Sequence, residues 1–307
     1  MKVIVAGGTG FIGSRLIELL AAQDNSVVVL TRDPDRVTRE GGSSARFVGW
    51  DAREPGPWAE EMEGADAVVN LVGESIAGWR WTRQKKHRIL ESRIMATRAL
   101  VQALSAARKR PNVFISASAV NYYSSRPHGD VTESSPPGED FLAEVSVAWE
   151  REAAPARELG LRLVLLRIGI VLDPSRGALP RFLLPFRLFL GGPLGLGRQW
   201  FPWVHPEDLV GIILAAIKRK DLVGPVNAAA PGIVTMNDFC SQLGAVLGRP
   251  SWIRVPATAL RLLLGEMSAL VLSGPKVVPA KLLAAGFRFR YPALEGALRS
   301  LLDTPLR

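Results

Sequence analysis

The chain has 307 residues, enough for one large core or two unequal domains, and its 48% hydrophobic and 22% charged content is that of a globular protein. Its single cysteine, Cys240, excludes an internal disulfide and reads as a small buried hydrophobe. The net charge of +9 raises nucleic acid as a partner, but the cations are scattered. The densest stretch, residues 80–93, interleaves them with apolar residues at helical spacing, so no nucleic-acid contact is expected and part of the charge can serve an anionic ligand.

The chain opens on an apolar run, Met1-Lys-Val-Ile-Val-Ala6, without polar alternation, which suits a parallel strand buried on both faces. Glycines at 7, 10 and 13 and a helical run over 14–20 follow. Strand, glycine turn and helix in that order make a dinucleotide site, where the turn approaches a pyrophosphate and the helix N-terminus offers it free N–H groups. Because the sheet needs these first residues, they are not read as a removable signal peptide.

Residues 26–31 and 67–72 are the next predicted strands, and 112–118 and 161–167 continue the series. Each of the last two follows a helical stretch, 92–108 and 142–159. This alternation favours an α/β fold, a doubly wound parallel sheet of Rossmann type with helices on both faces. Near Leu172 the pattern breaks at Asp173-Pro174 and Gly177. The expected division is a nucleotide-binding domain over 1–172, whose core can also take in part of 204–230, and a smaller, mainly helical substrate-side region over 173–307.

The Pro-, Gly-, Phe- and Trp-rich segment 173–204 reads as the lining of a substrate pocket, as the surface of a homodimer or as plain packing. Within it Arg198, Gln199 and Trp200 could offer a cation, an amide and an aromatic wall. The longest apolar stretch, 255–272, is interrupted by Arg261 and Glu266, so it reads as a buried or amphipathic helix rather than a span, and a cytoplasmic protein without a membrane partner is expected. Three scattered histidines and one cysteine have no metal-ligand spacing, so no metal is expected.

At the end of the second strand, where such folds meet the adenosine ribose, stands Thr31-Arg32. A hydroxyl followed by a guanidinium suits a 2'-phosphate and favours NADP(H) over NAD, although Asp33 could bond a ribose. Leu71, Val72 and Gly73 close the third strand, where small or apolar residues let a cofactor lie close. Arg93, on the next helix, could reach a phosphate or a neighbouring carboxylate.

Together these residues resemble the extended short-chain dehydrogenase/reductases, and more closely their divergent NADP-binding "epimerase family" branch. The resemblance is carried by GGTGFIG, NLVGESI, SASAVNYY, PPGEDFLAEV, LLRIGIVL and, most specifically, the block from Leu183 to Leu209. It implies that Gly7, Thr9, Gly10, Phe11, Ile12 and Gly13 cradle the dinucleotide, and that Thr31, Arg32, Leu71, Val72, Arg93 and Val171 contact NADP(H), with Val171 toward the nicotinamide. It also implies that Asp208 caps a helix and His205 fixes the preceding loop.

Standard reductases of this kind use a serine and a Tyr-x-x-x-Lys pair, which this chain lacks. The corresponding segment reads Phe141-Leu-Ala-Glu-Val145, and no lysine occurs between Lys109 and Lys218. What remains is Ser118 at a strand end with Tyr122 and Tyr123 behind it. These could bind and protonate a substrate carbonyl, with Arg126 or the cofactor as supporting cation, or simply pack the pocket wall. Two functions stay open. One is an NADP(H)-dependent oxidoreductase or epimerase acting on an unidentified small polar or sugar-like substrate. The other is a protein that binds NADP(H) without turnover, as a sensor or interaction module.

Overall fold

A computed structural model describes residues 1–35, 45–78, 80–124 and 129–303. The strands are β1 (Lys2–Ala6), β2 (Ser26–Thr31), β3 (Arg46–Gly49), β4 (Ala67–Asn70), β5 (Val113–Ala119), β6 (Asp130–Val131), β7 (Arg162–Ile168), β8 (Ile170–Val171), β9 (Trp203–Val204), β10 (Gly224–Ala228) and β11 (Lys276–Val277). Seven of them form one sheet in the order β10-β7-β5-β4-β1-β2-β3, with every neighbouring pair parallel. The order reverses direction at β1, so a crevice opens above the carboxyl ends of β1 and β4, the position where such sheets bind ligands.

The alternation of side chains along each strand divides the core cleanly. Val3, Val5, Val27, Val29, Val69 and Ile115 face the layer built by α1 (Phe11–Ala21) and a later helix over Pro206–Lys218. Ile4, Ala6, Val28, Leu30, Val68 and Phe114 face the opposite layer, where α2 (Arg83–Ala106) brings Ala96, Leu100 and Leu104. A strand buried on both faces must be apolar at every position, which is why these segments show no polar alternation. The protein is therefore an α/β Rossmann-type sheet flanked by helices.

Several boundaries differ from the sequence expectation. The third predicted strand stops at Asn70 rather than 72: the N–H of Val72 turns back to the Asn70 side-chain oxygen at 3.2 Å instead of continuing a ladder. Helix α2 starts nine residues before the predicted Ser92, at Arg83, because Thr82 caps it by accepting from the Lys85 N–H. The next helix, α3 (Phe141–Ala153), begins on the Asp140 carboxylate, which accepts from the N–H groups of Leu142 and Ala143. It tightens into a short turn over Ala154–Arg157 that contains Pro155. The edge strand β3 was not anticipated; four residues with Arg46 and Gly49 at its ends carry little strand signal.

The C-terminal region adds α4 (Leu179–Arg187), α5 (Pro206–Lys218), α6 (Met236–Leu247) and α7 (Ala257–Leu264), then a final helix over Leu294–Leu302. Helix α5 and strand β10 belong to the sheet layers, while α4, α6 and the final helix bury Leu183, Phe186, Phe201, Trp203, Phe239 and Leu298 in a separate core. Cys240 is buried there with its Sγ 3.8 Å from the Met236 sulfur, and burial pushes its thiol up to about 12. No helix among the described residues is long and apolar enough to cross a membrane.

The roles of His205 and Asp208 are exchanged relative to expectation. His205 is itself the cap, its Nδ1 accepting from the Glu207 N–H at 3.2 Å, because Pro206 occupies the first helical position. Asp208, one turn on, accepts from the N–H groups of Arg290 and Tyr291 at 2.6 and 3.0 Å and ties the C-terminal segment to α5. Burial first, then the charges of Arg15 and Arg290, lower His205 from 6.5 to about 4. The unfolded chain takes up a proton as pH falls below about 6.5 and the folded protein only near 4. This group's contribution is therefore complete above 6.5 and lost as the pH falls toward 4, up to about 3 kcal/mol. His205→Asn, whose amide still caps a helix, is expected to flatten that component; urea melts of both proteins at pH 7, 5.5 and 4 check it, and identical pH slopes would contradict it.

Candidate cofactor cleft and active site

The glycine turn sits at the carboxyl end of β1, beside the end of β4. Gly7 has φ 78°, and a Cβ there would lie 2.9 Å from the Leu71 carbonyl carbon. A Cβ on Gly13 would meet the Gly7 oxygen and the Gly8 Cα, both at 2.5 Å, so α1 can pack this close to the turn only without a side chain. Gly10 is different: its N–H closes the turn onto the Gly7 oxygen at 3.0 Å, and it precedes α1 with no side-chain cap on the helix. A helix N-terminus left without a side-chain cap, over a backbone stripped of side chains, fits a pyrophosphate.

The other residues expected at a dinucleotide are arranged around that crevice. Thr31 ends β2 with its side chain buried and its Oγ1 3.4 Å from the Asp33 N–H, while Arg32 is exposed and its charge reaches Glu74. Gly73 lies against Arg93, whose guanidinium would be 3.0 Å from a Cβ at 73. Arg93 donates to the carbonyl oxygens of Ile89 and Glu74 at 2.8 and 3.1 Å and covers the Trp149 ring. Of its two expected partners, the structure thus gives it no direct carboxylate bond. Burial lowers it to about 10, against the charge of Glu74, which leaves it a cation at neutral pH. Val171, in β8, has its carbonyl near Gly177, and Gly177 in turn adjoins the Phe11 ring at the start of α1.

The segment that would hold Tyr-x-x-x-Lys is the first turn of α3. Phe141 packs edge-on to Trp81 with ring centroids 5.4 Å apart, and Val145 is buried, so neither end can exchange a proton. Next to it runs a buried polar network. Arg167, from β7, makes a two-pronged bond to Glu150 of α3, Nε to Oε1 and Nη2 to Oε2, both at 2.8 Å. Ser118 donates to the same Glu150 Oε1 at 2.7 Å. Arg167 also donates to the Tyr123 hydroxyl at 2.9 Å, and that hydroxyl donates to Asn227 Oδ1 at 2.6 Å. Glu133 Oε1 accepts from the N–H groups of Asn227 and Lys281.

This network separates the three expected catalytic residues. Ser118 is 2% exposed and its hydrogen is committed to a carboxylate. Tyr123 is fully buried, and burial, partly offset by the Arg167 charge, raises it to about 12. It therefore holds its proton for the network. Tyr122 is half-buried, with the Arg167 guanidinium 3.4 Å from its ring centroid. Arg126 lies outside the described residues. Burial opposes the charge on Arg167, but the hydrogen bonds and charge of Glu150 outweigh it and the guanidinium is raised above its usual range.

A cavity of about 510 Å³ lies between the start of α3 and the C-terminal region, lined by Trp81, Asn121, Asp140, Phe141, Arg261 and Glu266 among others. Arg198, Gln199 and Trp200 do not line it. Gln199 instead straps the backbone, donating to the oxygens of Leu194 and Val271. Trp81, Glu150, Asn227 and Glu133 were not singled out from sequence. Arg167 left one signal, a charge that follows four apolar residues within a strand whose other arginine, Arg162, stands at its start.

The family model described as the NAD dependent epimerase/dehydratase family matches residues 3–229, and a second, described as a domain of unknown function (DUF1731), matches 255–301. The chain is 42% identical over 305 residues to the chloroplastic "Epimerase family protein SDR39U1 homolog" of Arabidopsis thaliana, covering 99% of this chain and 87% of that protein. It is 37% identical to "Epimerase family protein YfhF" of Bacillus subtilis, covering 98% of each. Among solved structures, human epimerase family protein SDR39U1 (isoform 2) with NADPH superposes with a TM-score of 0.87 at 34% identity, over 99% of this chain and all of that one. UDP-glucuronic acid 4-epimerase of Bacillus cereus superposes at 0.77 with 20% identity, over 99% and 98%, a likeness of fold.

The buried ion pair gives a direct test of the network. Glu150→Ala leaves the Arg167 charge unpaired in the interior and is expected to destabilise by about 3 to 5 kcal/mol, while the double change Glu150→Leu with Arg167→Met recovers much of that. Urea unfolding of the three proteins checks this, and a Glu150→Ala loss below about 1 kcal/mol would contradict a pair that holds the interior together.

Proposed function

The chain belongs to the NAD dependent epimerase/dehydratase family, and from that premise we propose that it binds NADP(H) in the β1/β4 crevice and reduces or oxidises a small polar substrate beside Phe141. The observation that carries the reading is the glycine cradle, where a Cβ at Gly7 or Gly13 would collide with backbone and Gly10 closes the turn. The NADPH bound to the 34% identical human relative supports the choice of cofactor. Gly7, Thr9, Gly10, Phe11, Ile12 and Gly13 hold the pyrophosphate, Thr31 and Arg32 the adenosine 2'-phosphate, Leu71, Val72 and Gly73 the adenosine side, and Arg93 and Val171 flank the remainder. NADPH is expected to bind at least tenfold more tightly than NADH. Arg32→Glu should remove that preference, a loss of about 1.5 to 3 kcal/mol for a charge-assisted contact. Fluorescence titration with both nucleotides checks this, and equal affinities in the wild type would overturn the assignment.

Bound NADPH supplies a hydride to a carbonyl carbon, and the protein must supply a proton to the carbonyl oxygen. Tyr122 is the group we assign to that proton. It alone of the three is not fully buried, and the Arg167 cation on its ring favours the negative charge that forms when the hydroxyl gives its proton away. Ser118 and Tyr123 act one step back, holding Glu150 and Arg167 in place. Tyr122→Phe should lower kcat by about 100-fold or more while leaving NADPH affinity unchanged.

A second reading is favoured by one observation, the replacement of the proton-transfer pair by Phe141 and Val145: a protein that binds NADP(H) as a sensing or structural ligand. Following NADPH absorbance across a panel of carbonyl compounds and nucleotide sugars separates the two. Consumption abolished by Tyr122→Phe supports the first; tight binding with no consumption across the panel supports the second.

A further inference from the structure

One face of the C-terminal region carries large apolar side chains that the fold does not cover. Leu184, Leu188, Phe189, Leu190, Trp252 and Ile253 are between 40% and 69% exposed. They form one patch. Leu188 lies one turn after Leu184, and its N–H bonds to the Leu184 oxygen at 3.2 Å. The Trp252 indole donates to the Phe189 oxygen at 2.9 Å, and the N–H groups of Trp252 and Ile253 both reach the Gly191 oxygen at 3.1 Å. Phe189 has φ 62°, a conformation poorly suited to a bulky residue, and it stays 51% exposed.

The charges of the two segments that carry this patch have one sign. Residues 179–199 and 241–265 contain Arg181, Arg187, Arg198, Arg249, Arg254 and Arg261, and no aspartate or glutamate. Arg249 lies over the Phe189 ring at 4.5 Å and so stands within the patch, and Arg254 follows Ile253 in the chain. A second copy of the chain docking the same face would set arginine against arginine, which disfavours a symmetric dimer here. Every charged residue in these two segments is an arginine, so an occupant of this face must bring anionic groups to meet them. Tryptophan, phenylalanine and leucine set among arginines is the composition that enters a headgroup layer.

We propose that this face docks onto a lipid bilayer bearing anionic headgroups. The apolar side chains enter the headgroup layer, and the arginines neutralise phosphates. The expectation of no membrane partner rested on the absence of a spanning segment, and surface docking needs none.

Sedimentation of the full chain with vesicles of phosphatidylglycerol and phosphatidylcholine in equal parts, and with phosphatidylcholine alone, tests this. Binding to the anionic vesicles is expected, weakened by 0.5 M salt and at least tenfold weaker on phosphatidylcholine. Trp252→Ser with Phe189→Ser, and separately Arg187→Glu with Arg249→Glu, should each lower binding by about tenfold or more. Unchanged circular dichroism melts show that these variants still fold. Absence of binding, or equal binding by wild type and both double variants, would overturn the proposal. So would a concentration-dependent dimer in sedimentation velocity that either double variant dissolves without any vesicle binding, since that assigns the face to a second copy.

Discussion

A guanidinium buried on a central strand must find a carboxylate, and much of this molecule is arranged around that requirement. Arg167 reaches Glu150 through two parallel bonds, and the unused positions on both partners draw in Ser118 and Tyr123, then Asn227 and Glu133 behind them. An isolated charge at this depth would cost many times what any one hydrogen bond returns, so the cluster stands only if it is complete. Its members come from β5, β7, β10, α3 and the loops after β5 and β6. The carboxyl ends of β5 and β7, strand β10 and the last turn of α3 are thereby held in one geometry.

That arrangement bears on how proton transfer can be organised without the usual lysine. Where a reductase of the standard kind has a lysine that lowers a tyrosine hydroxyl and relays its proton, this chain has a permanent cation lying flat on a tyrosine ring. An arginine can stabilise a developing negative charge but cannot pass a proton on. On the proposed reading, the proton transfer left to the cleft is a single one from Tyr122. Tyr123, one residue on, is disqualified by the same network that places Tyr122.

The two ends of the molecule use different physics. At the crevice, specificity comes from what is missing: glycines whose side chains would collide with backbone, and a helix that begins without a side-chain cap. In the C-terminal region, an aromatic core of Phe182, Phe201 and Phe239 packs ring on ring and is tied to α5 through Asp208. The first half is built to meet a nucleotide of fixed shape. The second presents Arg261 and Glu266 to the cavity and an arginine-bordered apolar face to the outside.

The amino-acid sequence alone determined five of the sheet's seven strands, the glycine cradle, the Thr31-Arg32 signature and the loss of Tyr-x-x-x-Lys. Each is a local matter, set by apolar periodicity, by the space a backbone turn allows, or by the identity of residues at a fixed spacing. Only the tertiary structure decided that Ser118 and Tyr123 are buried while Tyr122 is half-buried, because that depends on Glu150, Arg167 and Asn227, distant in sequence and joined by hydrogen bonds across three elements. It likewise decided that His205 rather than Asp208 caps α5, and that segments near residues 188 and 252 meet as one exposed face. Contacts between residues far apart in the chain leave no periodic trace in it, and burial, which sets the charge and reach of every polar group here, is a property of the folded chain.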